Sequence, residues 1–195
     1  WAAEALDAFD ADLLRYALAV GLPETKDADF TWSDFQNRVN GELADVVGNF
    51  ANRALTFAAR FCDGQVPALV DPTEADRAML DALAAAPAAI GEAYTAYRLR
   101  EAVALTVDLA RKGNQYLQVP AGLSILLDPV VPGIAARLRE MLALTGVRSS
   151  TGAGTDGLGW ADAGTALLDT GHPIGEPGIL VAKVEDEAVE AQRQL

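Results

Sequence analysis

The chain has 195 residues, 51% of them hydrophobic, which is enough to bury one sizeable core. Ala and Leu are prominent and β-branched runs are few, which favours a mainly α protein built as an antiparallel helix bundle. Acidic side chains outnumber basic ones by 28 to 15, so the net charge of −13 argues against nucleic-acid binding driven by overall charge.

The residue inventory also excludes several kinds of site. One Cys and one His leave neither a disulfide framework nor a zinc site, and Cys62 is expected to be a small core residue. No signal peptide opens the sequence, and no apolar run approaches the roughly 20 residues that span a bilayer. We therefore expect a cytoplasmic protein that contacts no membrane.

The first 32 residues are predicted to form a helix and a connector. Residues 1–20 have helical spacing, with an apolar side made of Leu6, Phe9, Leu13, Tyr16 and Val20. Residues 21–33 break this pattern, and Phe30 and Trp32 are expected to pack the connector onto the bundle, although stacking on a base is an alternative use of such aromatics.

The longest helical pattern covers residues 33–61. Thr31 and Ser33 stand where an N-cap belongs, and Asp63-Gly64 followed by Pro67 supplies the end. Its apolar positions recur every three or four residues and predict a core-facing side made of Phe35, Val39, Leu43, Val46, Phe50, Ala54, Phe57 and Phe61.

The second half of this helix carries no acidic residue between Val46 and Cys62. At about 100° per residue, Asn49 and Arg53 lie roughly 40° apart beside the apolar side, and Arg60 lies on the same strip. Such a strip could contact a polyanion without repelling it. The alternative is that this is simply the polar side of an ordinary helix.

Further helices and an extended tail are predicted after residue 64. Residues 73–85 form a helix capped by Asp71 or Thr73, and Pro87 begins the next one, which runs to about residue 117. Its buried candidates are Ile90, Ala93, Tyr94, Tyr97, Val103, Val107 and Leu109. Residues 123–144 complete the bundle with Ile134, Leu138, Met141 and Leu142 facing inward, and residues 149–155 read as a linker. The Gly- and Pro-rich stretch from Trp160 is expected to lie extended, with a strand pair as one form of it, before an acidic helical turn within residues 185–195.

Several blocks of the sequence together resemble one family. They are Leu22-Pro23-Glu24-Thr25-Lys26-Asp27-Ala28-Asp29-Phe30-Thr31-Trp32, Asn40-Gly41-Glu42-Leu43, Gly48-Asn49-Phe50-Ala51-Asn52-Arg53, Asn114-Gln115-Tyr116-Leu117, Gly171-His172-Pro173-Ile174-Gly175 and Lys183-Val184-Glu185-Asp186-Glu187. In this order they resemble the C-terminal anticodon-binding domain of methionyl-tRNA synthetase, a class I enzyme. The resemblance implies a connecting segment from a catalytic domain at residues 1–32, the anticodon-binding bundle at residues 33–145, and a linker with a fold-back tail at residues 146–195.

The resemblance also implies a function and a set of site residues. Asn49 and Arg53 match the pair that hydrogen-bonds the first anticodon base, the cytosine of CAU in methionine tRNA. Additional anticodon-binding candidates on this surface are Asn52, Arg60, Asn114 and Gln115. The expected partners are methionine tRNA and the parent enzyme's catalytic domain through residues 1–32, with no DNA and no membrane.

Catalytic chemistry is not expected in this chain. His172-Pro173-Ile174-Gly175 superficially resembles the HIGH motif that holds ATP, but it lacks the flanking strand and helix of a nucleotide-binding sheet. We therefore predict no catalytic residue, metal or cofactor here, and ATP use only in the catalytic domain of a parent methionine–tRNA ligase.

One departure from the family lies after Leu117, where Gln118 to Gly122 lead almost directly into Leu123 and a Pro-Trp pair is missing. In relatives that Trp stacks against the anticodon, so no residue is assigned to this role. The missing Trp and the acidic charge motivate an alternative function, a free-standing helical module for protein interaction or dimerisation without RNA binding.

Overall fold

The computed structural model describes residues 2–24, 27, 29–116, 129–144 and 168–194. Those residues are mainly helical and contain no β-sheet, in agreement with the predicted fold class. The elements are α1 Ala2–Ala8, α2 Ala11–Gly21, α3 Trp32–Arg38, a π-helical segment Val39–Gly48, α4 Asn49–Phe61, α5 Glu74–Thr95, α6 Leu99–Gln115, α7 Pro132–Met141 and α8 Asp186–Arg193. The shortened connection after Leu117, the linker at residues 149–155 and Trp160 lie outside the described residues.

The N-terminal region is two helices rather than the one predicted. Asp10 interrupts them because its side-chain oxygen accepts a hydrogen bond from the backbone N–H of Asp12 at 3.0 Å and so caps α2. Leu6, predicted to be apolar core, is 56% exposed on α1. Phe30 and Trp32 pack as predicted, forming an aromatic cluster with Phe9 and Phe35.

The central helical stretch begins and ends as predicted but changes its winding in the middle. Thr31 caps α3 by accepting from the N–H of Asp34 at 3.0 Å. Between α3 and α4 the backbone winds as a π-helix over Val39–Gly48, and at its end the N–H of Asn49 is shared between the carbonyls of Ala44 and Val46. One of them, the carbonyl of Val46, accepts from Nδ2 of Asn114 on α6 at 2.9 Å.

The helix break predicted at Pro87 is wrong. α5 continues through Pro87 to Thr95, and the buried side chains of Leu83 and Ile90 on either side offset the loss of one backbone donor. The chain turns instead at Tyr97, which adopts a left-handed φ of 58°. The next N–H, of Arg98, then donates to the carbonyl of Ala93 at 2.8 Å and ends the helix.

Tyr97 is consequently 83% exposed, although its spacing predicted a buried side chain. At the other end of α5 the choice of cap is settled by a capping box. Thr73 accepts from the N–H of Asp76, whose carboxylate accepts from the N–H of Thr73.

The core has a large and a small part. The large part joins α2, the π-helical segment, α4, α5, α6 and α7 around side chains that include Tyr16, Leu43, Phe50, Leu55, Ile90, Val107, Ile134 and Leu138. The small part joins α1, α2, α3 and the C-terminal tail, and it comprises Ala5, Phe9, Ala17, Trp32, Phe35, Val39, Val184 and Val189. Hydrophobic burial therefore ties both ends of the described chain to the bundle.

Helix α2 packs tightly on α7, although it lies within the predicted connecting segment. The carboxylate of Asp12 is 5% exposed and accepts from the N–H of Ile134 at 2.8 Å, in the first turn of α7. Nε of Arg15 donates to the carbonyl of Val130 at 3.1 Å. A carboxylate at a helix N-terminus is favourable electrostatically, so these contacts fix α2 on the bundle.

The described part of the C-terminal tail contacts the ends of α4 and α7. Nε2 of His172 lies 3.0 Å from the carbonyl oxygen of Leu142, and the N–H of Val66 donates to the carbonyl of His172 at 3.0 Å. In place of a strand pair there is an isolated antiparallel bridge between Gln65 and Pro173. The predicted final acidic helical turn is α8.

Candidate nucleic-acid interface

Helix α4 presents one side to the core and the other to solvent. Its inward side chains are the buried Phe50, Ala51, Ala54 and Leu55. The residues predicted to bind RNA, Asn49, Asn52, Arg53 and Arg60, are all exposed on the opposite side. We call these four residues the outer face of α4.

The rotation of α4 is set by close packing on α6. A side chain at Gly113 would place its Cβ 2.5 Å from Cζ of Phe50, so only glycine permits this approach. Phe50 is fully buried there, and its neighbour Asn49 is thereby directed outward. The contact thus fixes which residues of α4 face solvent.

Asn49 and Arg53 have no ion pair and no side-chain hydrogen bond with the described residues. The two residues are four positions apart in the sequence, which corresponds to a rise of about 6 Å along the helix. Some cations of the described residues are paired with carboxylates, including Arg98 with Glu101 at 2.6 Å and Lys183 with Asp45 at 2.7 Å. In a protein with 28 acids, an exposed arginine without a carboxylate partner is available for an anion.

An open groove continues this surface toward the C-terminal end of α4. Its volume is about 270 Å³, and its lining contains no acidic residue: Asn52, Arg53, Thr56, Phe57, Arg60 and Phe61. Asn52 and Arg60, predicted from the sequence, are thus brought together with Arg53.

The groove includes an aromatic pair that sequence reasoning assigned to the core. Phe57 is 44% exposed and Phe61 is 73% exposed, with ring centroids 5.1 Å apart. They follow Phe50 on the apolar side of α4, so their periodicity was read correctly. The prediction that Phe57 and Phe61 are buried is nevertheless wrong, because the packing that covers Phe50 does not cover the C-terminal part of α4.

The two candidates on α6 differ in their environment. Asn114 is half-buried, and its Nδ2 is engaged by the carbonyl of Val46 just before α4, so it holds the start of α4 in place. Its Oδ1 is buried and has no hydrogen-bond partner among the described residues. Gln115 is exposed at the last residue of α6.

Two other kinds of feature, a metal site and a membrane-spanning helix, are absent from the described residues. No group of His, Cys, Asp and Glu in that part of the chain is arranged to hold a metal ion. Nor does any helix there have the length and apolar character needed to cross a membrane. The single His, at position 172 in the tail, contacts the backbone carbonyl of Leu142 next to α7.

Comparison with known proteins identifies the relatives of this chain. A family model described as tRNA synthetases class I (M) matches residues 1–55. A methionine–tRNA ligase of Salinibacter ruber is 50% identical to the chain, over 98% of the chain and 32% of the relative. The chain is a homologue of one part of the methionine–tRNA ligases. A further ligase of this family, from Cytophaga hutchinsonii, is 37% identical over 98% of the chain and 30% of its own length.

The chain therefore spans about a third of the length of these methionine–tRNA ligases. The Salinibacter alignment has 228 positions, more than the 195 residues of this chain, so the relative has residues within the aligned region that this chain lacks.

A solved structure of the family has the same fold. Apo methionyl-tRNA synthetase of Mycobacterium tuberculosis matches with a TM-score of 0.77 over 93% of this chain and 40% of that chain. The sequence identity is 20%, so this likeness concerns the fold alone.

Proposed function

We propose that this chain is the anticodon-binding part of a methionine–tRNA ligase and that Asn49 and Arg53 read the first anticodon base, a cytosine. The observation that carries the proposal is the outer face of α4. It offers an amide and a guanidinium one helical turn apart, both exposed, without a side-chain partner among the described residues and without an acid on α4.

These two groups suit the edge of a cytosine. An unpaired base displays its Watson–Crick edge, which protein side chains read by hydrogen bonds. Asn supplies both a donor and an acceptor, and Arg supplies a rigid fork of donors. Because α4 is fixed by Phe50 against Gly113, both groups are held on a rigid element, which favours specific recognition.

The net charge of −13 does not oppose such a site. Total charge governs long-range attraction, whereas contact depends on the local surface, and that surface is free of acids from Val46 to Cys62. We expect weak long-range steering together with recognition at close range.

Binding of a hairpin RNA with CAU in its loop tests the proposal. We expect the chain to bind this hairpin more tightly than one whose loop cytosine is replaced by uracil. Arg53→Ala should weaken binding by about 1–3 kcal/mol and remove most of the preference for cytosine, as measured by fluorescence anisotropy.

The matched control is Arg77→Ala, which removes an exposed arginine from α5 instead of α4. It should leave the preference for cytosine intact. Equal, weak binding of both hairpins by wild type and Arg53→Ala would contradict anticodon reading and favour the alternative of a protein-interaction or dimerisation module.

The parent protein is part of the same proposal. We propose that a catalytic domain using ATP precedes this part in the ligase, that residues 1–32 connect to it, and that the chain itself needs no cofactor. Correct docking of the anticodon would position the distant acceptor end for the reaction. In the full-length ligase, Arg53→Ala should therefore lower kcat/KM for methionine tRNA while leaving ATP–pyrophosphate exchange, which needs no tRNA, unchanged.

A further inference from the structure

Phe57 and Phe61 form an unusual surface in a chain with so many charged residues. They expose 44% and 73% of their surface, and their rings lie 5.1 Å apart with an angle of 41° between the planes. Neither contributes to the hydrophobic core of the described residues. Two adjacent aromatic rings left in water are thermodynamically unfavourable unless a ligand covers them.

The surroundings of the pair restrict what that ligand can be. Arg53 and Arg60 line the same groove and have no carboxylate partner among the described residues. An apolar protein surface placed over the pair would bury both guanidinium groups without a counter-charge, which is costly. The occupant must therefore present a flat apolar face and carry negative charge.

A nucleotide of single-stranded RNA has both properties. Its base stacks on aromatic rings, and its phosphate accepts hydrogen bonds from arginine. The groove is open and, at about 270 Å³, smaller than the pockets that enclose drug-sized ligands, as expected for a platform.

Phe57 also lies close to Asn49 and Arg53, the two residues proposed to read the cytosine. It follows Arg53 by one turn of α4, a rise of about 6 Å and a rotation of about 40°. We propose that Phe57 and Phe61 are a stacking platform for the base adjacent to the one read by Asn49 and Arg53, with Arg60 contacting its phosphate. This inference rests on the proposed function, because it places a second base of the same loop on the same helix.

A double-mutant cycle between protein and RNA tests the platform. The probes are the CAU hairpin and two versions of it in which a nucleotide on either side of the cytosine is made abasic. We expect Phe57→Ala to weaken binding of the intact hairpin by about 5- to 30-fold. Wild type should bind one of the two abasic hairpins more weakly than the intact hairpin by a similar factor. Phe57→Ala should not weaken binding of that abasic hairpin any further.

Controls separate the platform from general effects. Tyr97→Ala removes another exposed aromatic residue, outside the groove, and should leave binding unchanged. Phe61→Ala is the second platform variant. Because the Phe61 side chain is 73% exposed, we expect this variant to fold as wild type does, which circular dichroism and thermal melting check. Phe61→Ala should likewise weaken binding of the intact hairpin and weaken binding of the same abasic hairpin no further.

The outcomes distinguish this inference from the proposed function. Independent, additive effects of Phe57→Ala and both abasic sites, while wild type still prefers cytosine, overturn the platform and leave anticodon reading intact. If wild type shows no preference for cytosine, both the platform and the proposed anticodon reading are overturned. Self-association of wild type that Phe57→Ala abolishes, measured by sedimentation equilibrium, assigns the pair to a protein interface and overturns the platform.

Discussion

At the scale of single residues, the contact between Phe50 and Gly113 determines the orientation of α4. The ring is fully buried, and the space beside Gly113 is already filled by its Cζ and Cε atoms. Interiors packed this closely respond to the addition of even one methyl group. The position is therefore sensitive although it touches no ligand.

We expect Gly113→Ala to lower the free energy of unfolding by about 1–3 kcal/mol, because Phe50 has to move away from the new Cβ. Urea denaturation followed by circular dichroism measures the change. Gly41→Ala is the matched control, since nothing lies within 4 Å of its added Cβ and it is also helical. Equal stability of the two variants would show that Phe50 has room to move.

Single residues also show what the sequence could predict of the site. Exposure of Asn49 and Arg53 followed from spacing alone, since both lie within the α-helical part of the stretch. The exposure of Phe57 did not follow, because periodicity says which residues share a side of a helix and not how far a partner covers that side. The engagement of Asn114 with the Val46 carbonyl required knowledge of the backbone between α3 and α4.

At the scale of elements, the tail is fastened to the π-helical segment by one side chain. Nδ2 of Asn40 donates to the carbonyl of Val184 at 2.9 Å, and its Oδ1 accepts from the N–H of the same residue at 2.7 Å. The amide thus pairs with the tail as a neighbouring strand would. Lys183 adds an ion pair with Asp45, although both groups are about half exposed and contribute little.

We expect Asn40→Ala to loosen the tail, since the N–H of Val184 loses its partner and the carbonyl of Val184 keeps only the bond from Nε2 of Gln36 at 3.1 Å. Amide hydrogen exchange should become faster in Val184 and α8, while α5 and α6 remain protected. The control is Asn37→Ala, which removes an exposed amide one turn earlier. Unchanged exchange in the tail of Asn40→Ala would show that hydrophobic burial and the hydrogen bonds from Gln36 hold the tail without Asn40.

Element boundaries were predictable where the chain carries a cap and not where packing overrides local preference. Thr31 and the Thr73 region were identified as caps from residue type alone. Pro87 suggested a boundary for sound local reasons, yet the burial on both sides of it keeps α5 continuous. The left-handed residue that does end α5 is Tyr97, a type that seldom adopts this conformation and so gives no signal.

At the scale of the whole molecule, the buried phenol of Tyr16 and the partly buried phenol of Tyr94 make stability sensitive to alkali. Burial raises the pKa of Tyr94 to about 12. Burial also raises the pKa of Tyr16, and the hydrogen bond to the Glu42 carboxylate acts in the same direction. In the unfolded chain a tyrosine ionises near pH 10, so the native state holds these protons more tightly than the unfolded state does.

The stabilisation is therefore complete below about pH 10 and is lost as the pH rises toward 12. We expect the urea midpoint of wild type to fall across this interval, and to fall less steeply in Tyr94→Phe, which has no proton to lose there. Parallel curves for the two proteins would contradict a raised pKa at Tyr94.

The π-helical winding of Val39–Gly48 makes the number of residues before α4 as important as their identity. If one of them is removed and the helical path is kept, Phe50 takes the solvent-facing place of Asn49, and Asn49 takes the buried place of Gly48. A chain lacking Gly41 should consequently fold poorly or lose its cytosine preference, whereas Gly41→Ala retains both, as melting and hairpin binding would show. The segment acts as an angular spacer that tolerates substitutions but not changes in length.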